Sequence, residues 1–589
     1  MTNHEIAQLL RNVAASFAIK DEKKFRFQMI AYQKAADSIE NATSQVADLY
    51  KEDKLDTIPG IGDTIKSRLE ELMKNGSVSH FESVKKDIPE SVFPLLSLPG
   101  FGPKKAYKLV TAFKLNDPKT IVDDLEKVAK DGKIAPLEGF GEKSQSDVLR
   151  SISEFRLQKG KASRMLLPFA TELAEKMVTY LKASKYVKYA QPLGSLRREL
   201  ATIGDLDIAV ATDHPTEVIK HFTDYPYKDR VIEQGPMTAS ILTSGGKQID
   251  LMTQPTASFG SLLQHFTGSK LHNIHLRDYA LKLGLSLSEK GIKHIKEKGE
   301  PMKQYATEKE FYSALKMEWI PPEIREDTGE IEMALKNTLP NLIETKDMKG
   351  DLHIHSNYPI DPSHDLGRDD MSTMLKRAKE LGYSYLGFSE HNPSISTHTK
   401  EQIYSILDKR QNYIEQLKKS NNNIRIINLL EIDILASGDL AIDDKSFSYL
   451  DAGIVSIHSS LGMDVETMTK RVLKGLSHPK AKIFAHPTGR MLNERPGYTL
   501  DWEKIFDFCK TNNKALEINS WPQRLDLPDT LIKQAIGHGV KLVIDTDSHA
   551  VGHMDLMRFG VAVGRRGWAT KSDVLNSLEY NDFIRWIKS

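Results

Sequence analysis

The sequence predicts a multidomain α/β chain: a helical N-terminal third, a mixed α+β middle and a C-terminal α/β barrel. Three observations carry this expectation. A Gly-x-Gly turn leading into a helix occurs three times before residue 160. Two aspartates stand one residue apart against a short apolar strand, 206–210. Beyond residue 349, apolar strands alternate with helical segments, and each strand leads to a His, Asp or Glu. A length of 589 residues requires several domains, because one core rarely exceeds about 250–300 residues. Apolar residues make up 40% and charged residues 27%, the proportions of an ordinary globular chain. Lys plus Arg number 81 against 80 Asp plus Glu. That balance gives no hint of a polyanion partner and excludes none, since basic and acidic domains cancel in the sum. The single cysteine, Cys509, excludes a disulfide framework and a Cys-rich zinc site; it reads as a small buried residue on a helix. The N-terminal segment has no signal-peptide core, and no apolar run reaches the roughly 18–20 residues that span a bilayer. The expectation is a cytoplasmic protein without a membrane partner.

In the N-terminal third, Ile6, Leu9, Leu10, Val13 and Phe17 recur at helical spacing. The repeats follow at "IPGIGDTIKSRLEEL", "LPGFGPKKAYKLV" and "LEGFGEKSQSDVLRSI", with glycines Gly60 and Gly62, Gly100 and Gly102, Gly139 and Gly141. Glycine permits a tight turn and close approach of another backbone. The next helix begins with free N–H groups that suit a phosphate oxygen. These segments resemble the helix–hairpin–helix motif, which grips the DNA backbone without reading sequence. Lys104 and Lys105 are candidate phosphate contacts.

In the middle, Asp205 and Asp207 alternate to one face of a strand, about 7 Å apart. Like charges there are costly unless cations sit between them. Mg²⁺ takes hard oxygen ligands, with substrate phosphates completing its shell, and two such ions can bridge attacking and leaving oxygens. A third carboxylate is expected at Asp250 in "GGKQIDLMT". Upstream, Gly194, Ser195, Arg197 and Arg198 offer a close-approach turn, a hydroxyl and guanidinium groups for a triphosphate.

Gly194, Ser195, Arg197, Arg198, Gly204, Asp205, Asp207 and Asp250 together resemble the bacterial family X DNA polymerases, of the nucleotidyltransferase superfamily. The similarity covers about 1–335. It implies a helical DNA-binding domain at 1–88, fingers with the second and third hairpins at 89–160, a nucleotidyltransferase palm at 161–260 and a thumb at 261–335. In "HFTGSKLHNIHLR" it implies Phe266 and Gly268 beside the deoxyribose and Asn273 near the base; His265 stands where many relatives carry an aromatic residue. Animal repair members use a lysine as a Schiff-base nucleophile where this chain has Arg68. A guanidinium cannot form that base, and Lys66 lies on another helical face, so lyase chemistry is not expected.

After a linker at 336–348, the domain 349–589 presents seven strand-end groups: His353 and His355, His391, Glu431, His458, His486, Glu517 with Asn519, and Asp547 with His549. Strands alternating with helices argue for a parallel sheet, and functional groups at successive strand ends mark the active face of an α/β barrel. Imidazole with several carboxylates suits a cluster of Zn²⁺, Fe or Mn²⁺. The segment 349–575 resembles a PHP domain, a metal-dependent phosphoesterase. The resemblance implies a distorted (β/α)7 barrel, up to three ions (Mn²⁺, Zn²⁺ or Fe), and ligands at His353, His355, His391, Glu431, His458, His486, Asp547 and His549. A ninth ligand is expected at Asp361 by spacing, with His364 and Asp365 as alternatives. Ser389-Glu390-His391 stands where relatives often have Thr-Asp-His, and Arg490 and Arg524 are candidates for holding a substrate phosphate.

The combined expectation is a monomeric gap-filling DNA polymerase acting on gapped or primer–template DNA and dNTPs in repair. It would use two Mg²⁺ (or Mn²⁺) at Asp205, Asp207 and Asp250, with a PHP 3′→5′ exonuclease or 3′-end phosphoesterase. The rivals are a DNA-binding scaffold and a polymerase fused to a small-molecule phosphatase.

Overall fold

The computed structural model describes residues 1, 3–40, 46–51, 54–58, 61–98, 101–158, 164–295, 302–420 and 424–589. Gly60 and Gly100 lie outside these residues. The chain packs as two compact units, Met1–Met165 with Ile219–Asp250 and Leu166–Val218 with Leu251–Ser589.

In the first unit, helix Asn3–Asp21 buries Ile6, Leu10, Val13 and Phe17 against Tyr32, Ile39, Leu69 and Phe81, with Leu9 at the margin. This is the apolar stripe of the sequence turned onto a core. A second helical core gathers Val92, Leu98, Phe101, Leu109, Leu125 and Val148. A helix follows each of the three repeats: Asp63–Asn75, Pro103–Phe113 and Glu142–Gln158. Gly62 and Gly102 are the N-cap residues of the first two and offer no capping side chain. Strands Lys228–Gln234 and Thr238–Thr243 pair antiparallel in this unit.

In the second unit, strand Tyr189–Pro192 pairs antiparallel with Leu206–Ala211. Leu193, Ala209 and Ala211 pack on Phe259, Leu262 and Leu263 of helix Phe259–Thr267. Helix Lys270–Lys282 follows and joins a core of Leu276, Phe311, Tyr312, Ile320 and Ile331.

The remainder is a set of parallel strands with helices between them. Gly350–Asp351, Tyr385–Phe388 and Arg425–Asn428 form one sheet; Glu431–Asp433, Gly453–Ser456, Ala481–Phe484, Ala515–Asn519 and Lys541–Asp545 form the other. Tyr385–Phe388, Gly453–Ser456 and Ala481–Phe484 are buried along their whole length. Burial on both faces is why these segments read as unbroken apolar runs instead of alternating ones. Leu429 and Leu430 alone separate the last strand of one sheet from the first of the other. Isolated parallel bridges, Ile354 to Ser548 and His391 to Glu431, join the segments after Gly350–Asp351 and Tyr385–Phe388 to the other sheet. Among the described residues no helix is long and apolar enough to cross a membrane.

Candidate active sites

The strand ends of the parallel sheets converge on Glu431. Its Oε2 lies 2.9 Å from His391 Nδ1, 3.1 Å from His353 Nε2 and 3.4 Å from His355 Nε2. Its Oε1 lies 3.0 Å from His486 Nε2 and 3.3 Å from His458 Nε2. Asp547 Oδ1 is 3.3 Å from His355 Nε2. Asp365 Oδ1 approaches His391 Nε2 at 3.5 Å and His549 Nε2 at 3.6 Å. Four overlapping triads among the described residues bring ligand atoms within 4.8 Å of one another: His355–His391–His549, His364–His391–His458, His353–His355–Glu431 and Glu431–His458–His486.

These residues fit a cluster of metal ions. His353 Nε2, both ring nitrogens of His355, His391 Nδ1 and His549 Nε2 are buried without a hydrogen-bond partner, and a buried polar atom left unpaired costs about 1–3 kcal/mol. The unpaired nitrogens crowd around two carboxylates, an arrangement a divalent cation satisfies. Imidazole and carboxylate together suit Zn²⁺, Mn²⁺ or Fe. The supporting shell is also present. Glu517 Oε1 is 2.6 Å from His353 Nδ1, and Glu517 Oε2 accepts the His486 backbone N–H at 2.6 Å. Asp433 Oδ1 is 2.7 Å from His458 Nδ1 and 3.0 Å from His364 Nε2. Such partners fix ring orientation and tautomer. His486 and Asp547 have φ of 31° and 54°, left-handed backbone that is costly for residues with a Cβ and is concentrated at functional sites.

Charge divides these histidines. Burial would depress His391, but Glu431 and Asp365 outweigh it and hold its imidazolium up to about 10. Burial, with His549 and His391 adding to it, holds His355 well below the usual histidine range. Burial and then Arg524 bring His486 down to about 4. His355 and His486 are thus neutral, the ligating form.

The ninth ligand expected at Asp361 is not in this cluster. Asp361 is largely exposed and pairs with His398 Nε2 at 3.2 Å; the loop instead brings His364 and Asp365 to the histidines. Arg490 is also corrected. Its Nε donates to the Arg524 carbonyl at 2.8 Å and its Nη2 to the Leu525 carbonyl, so it braces a loop. Arg524 stays at the centre, its Nε 3.5 Å from Asp547 Oδ2. Asp433 was missed, although it stands two residues after Glu431 on one strand and so shares its face.

In the mixed α+β region, Asp207 is half-buried on strand Leu206–Ala211 and Asp205 exposed just before it. Gly194 opens the short helix Gly194–Arg197 with φ 56°, and a Cβ there would lie 2.8 Å from Asp207 Oδ2. Only glycine lets the turn approach the carboxylate so closely. Ser195 and Gly204 are half-buried nearby in sequence. Asp250, on strand Gln248–Gln254 between buried Ile249 and Leu251, accepts from Gln248 Nε2 at 3.0 and 3.1 Å.

The two arginines divide. Arg197 forms a two-pronged pair with buried Glu308, Nη1–Oε1 3.0 Å and Nη2–Oε2 2.5 Å, which Arg325 shares at 2.7 Å. Burial would raise Glu308, but Arg325 and Arg197 hold it down to about 2. Arg197 is committed to that carboxylate and is removed from the triphosphate group. Arg198 donates from Nε to Glu326 at 2.9 Å and from Nη1 to the Thr267 carbonyl at 2.5 Å. Phe266 and His265 stack edge to face at 4.8 Å. Asn273 donates to the His265 carbonyl at 2.7 Å and accepts from Gln264 at 2.8 Å.

The hairpin helices differ in their first turns: Asp63 and Glu142 are acidic, whereas Pro103–Phe113 carries no acid there. Lys104 pairs with Glu22 at 2.7 Å, and Lys105 lies 4.5 Å over the Phe101 ring, its ammonium depressed by burial. Arg68 lies 3.4 Å from Glu71.

Hairpin-type turns ahead of helices, strand aspartates beside a glycine turn and a His-rich cluster in parallel sheets that could hold metal ions fit a DNA-polymerase-type chain with a second candidate site. The helix-hairpin-helix domain family matches residues 1–78 and the DNA polymerase beta thumb family residues 262–326. The chain is 32% identical over 590 residues, all of both chains, to the DNA polymerase/3′-5′ exonuclease PolX of Bacillus subtilis (strain 168). It is 22% identical over 312 residues, 49% of each chain, to DNA polymerase lambda of Rattus norvegicus. The chain therefore belongs to the bacterial PolX group of family X DNA polymerases.

Proposed function

We propose that this protein is a gap-filling DNA polymerase of DNA repair whose C-terminal distorted (β/α)7 barrel, a PHP domain, is a metal-dependent 3′→5′ exonuclease. The observation that carries the reading is the Glu431 hub, whose two oxygens face five imidazole nitrogens, in a chain similar over its full length to a PolX. In the polymerase half, Asp205, Asp207 and Asp250 hold two Mg²⁺ or Mn²⁺, and Asp250 is suited to accept the proton of the primer 3′-OH. In the barrel, up to three Mn²⁺, Zn²⁺ or Fe ions are held by His353, His355, His364, Asp365, His391, Glu431, His458, His486, Asp547 and His549. Bound divalent ions supply charge neutralisation and nucleophile activation at both centres.

The chain's own residues do the positioning. Arg198 meets the triphosphate, Phe266 and Gly268 line the sugar, and Asn273 faces the base edge. The second hairpin, with open N–H groups and no acid in its first turn, is the best suited of the three to a DNA phosphate. Glu517 and Asp433 hold the ligating imidazoles in register, and Arg524 meets the scissile phosphate. The protein acts as a cytoplasmic monomer.

A 5′-labelled primer on a one-nucleotide gap, with Mn²⁺ or Mg²⁺ and with or without dNTPs, tests both halves. Asp205→Ala should lose extension and keep shortening; His353→Ala should do the reverse. If His353→Ala shortens the primer as wild type does, or the barrel prefers a small phosphate ester to an oligonucleotide, the exonuclease reading fails.

A further inference from the structure

The helix Met557–Arg566, which follows the turn after His549 in the barrel, ends at Arg566, and that side chain is only 9% exposed. Its Nη1 donates to the backbone carbonyl of Arg198 at 2.7 Å and to Glu326 Oε1 at 3.1 Å. Its Nη2 donates to Asp529 at 2.5 Å. The same Glu326 Oε1 accepts from Arg198 Nε at 2.9 Å. The Thr267 carbonyl takes Arg198 Nη1, and a Cβ at Gly268 would lie 3.0 Å from that nitrogen. Beside this contact, Arg565 pairs with Glu323 at 2.8 Å and donates to the Ile343 carbonyl at 2.9 Å. Lys533 donates to the Thr328 carbonyl at 2.6 Å and covers the Trp568 ring at 3.7 Å.

We propose that the C-terminal barrel is a structural part of the nucleotide pocket, and that Arg566 is a positioning residue for the polymerase reaction. The physical reason is charge sharing. Glu326 alone would neutralise Arg198 and draw it away from an anionic ligand. With Asp529 balancing its own charge, Arg566 also donates to the carboxylate oxygen that holds Arg198, so Glu326 is shared between two guanidinium groups and its pull on Arg198 against a triphosphate is weakened. The bond from Arg566 to the Arg198 carbonyl fixes the backbone of the residue whose side chain makes that contact. The inference rests on Arg198 being a triphosphate ligand, so that reading is tested alongside it.

Full-length Arg566→Ala, Arg198→Ala and the double variant Arg566→Ala/Glu326→Gln are compared with wild type by single-nucleotide gap filling over a dNTP range. Shortening of a single-stranded oligonucleotide serves as the folding control. Arg566→Ala is expected to raise the KM for dNTP about tenfold, the value of one charge-assisted contact, with kcat within about threefold and shortening unchanged. Glu326→Gln in that background is expected to bring KM back toward wild type, which a merely structural role would not do. If Arg198→Ala raises KM and Arg566→Ala does not, or the double variant is worse than the single, the inference is overturned. If Arg198→Ala leaves KM unchanged, the triphosphate reading falls and the inference with it. Should Arg566→Ala fail to fold, Arg566→Lys keeps one charge but cannot span all three acceptors, and an intermediate KM is expected; a wild-type KM overturns the proposal.

Discussion

Replacing Gly194 by alanine places a methyl group 2.8 Å from Asp207 Oδ2, where ordinary contact begins at 3.4 Å. The carboxylate has to retreat by the difference, about 0.6 Å, or the turn has to open. A misplacement of 1 Å at a reacting centre costs about 10²-fold, so a loss of about 10–30-fold in the rate of nucleotide addition is expected. The φ of 56° at this position adds about 1–2 kcal/mol of strain for any residue with a Cβ, which should appear as a lower unfolding midpoint. The assay is single-turnover extension on a one-nucleotide gap over a Mg²⁺ range. Shortening of a single-stranded oligonucleotide by the same preparation serves as control. The half-saturating Mg²⁺ concentration should rise, because the displaced group is the candidate ligand, while shortening stays at the wild-type rate. Extension within twofold of wild type at low Mg²⁺ would refute the assignment of Asp207 to the metal and the reason given for the glycine.

Two further outcomes follow from the same geometry. Glu431→Gln keeps the side-chain volume but removes the charge that five imidazoles surround; exonuclease activity should fall at least about 10²–10³-fold with gap filling unchanged, and equal losses in both activities would point to misfolding instead. Glu308, held down to about 2 by Arg325 and Arg197 against its burial, contributes stability that is full above the ordinary glutamate range, about pH 4.5, and lost as pH falls toward 2, about 3 kcal/mol in all. Glu308→Gln strands Arg197 and Arg325 and should cost about 3–5 kcal/mol at pH 7. Urea melts of the variant should also show less acid dependence over that window; an unchanged dependence would remove Glu308 as its source.

The convergence of histidines and carboxylates into one cluster was legible wherever residue identity and strand periodicity decide the matter. His353 and His355 share a face by alternation, and the later ligands follow apolar runs long enough to be buried strands. The ninth position was not legible, because a loop with φ 45° at Asp361 and a bridge from Pro362 to Pro393 decides which acid points inward. Spacing along a sequence carries no information about that path. The arginine pair shows the same limit. Arg197 and Arg198 are adjacent and chemically alike, yet one forms a two-pronged pair with Glu308 and the other a single contact with Glu326. Both partners lie more than a hundred residues away in sequence, so only packing distinguishes them.

The two seams between the parallel sheets both run through the ligand set. One bridge, Ile354 to Ser548, sits between the His353/His355 pair and the Asp547/His549 pair; the other joins His391 to Glu431 directly. A cation held by these groups would act as a rivet between the two sheets, at the places where isolated bridges alone join them. Binding such ions and joining the two sheets would then be one event. Withdrawing them would be expected to loosen first the sheet seams that line the candidate site.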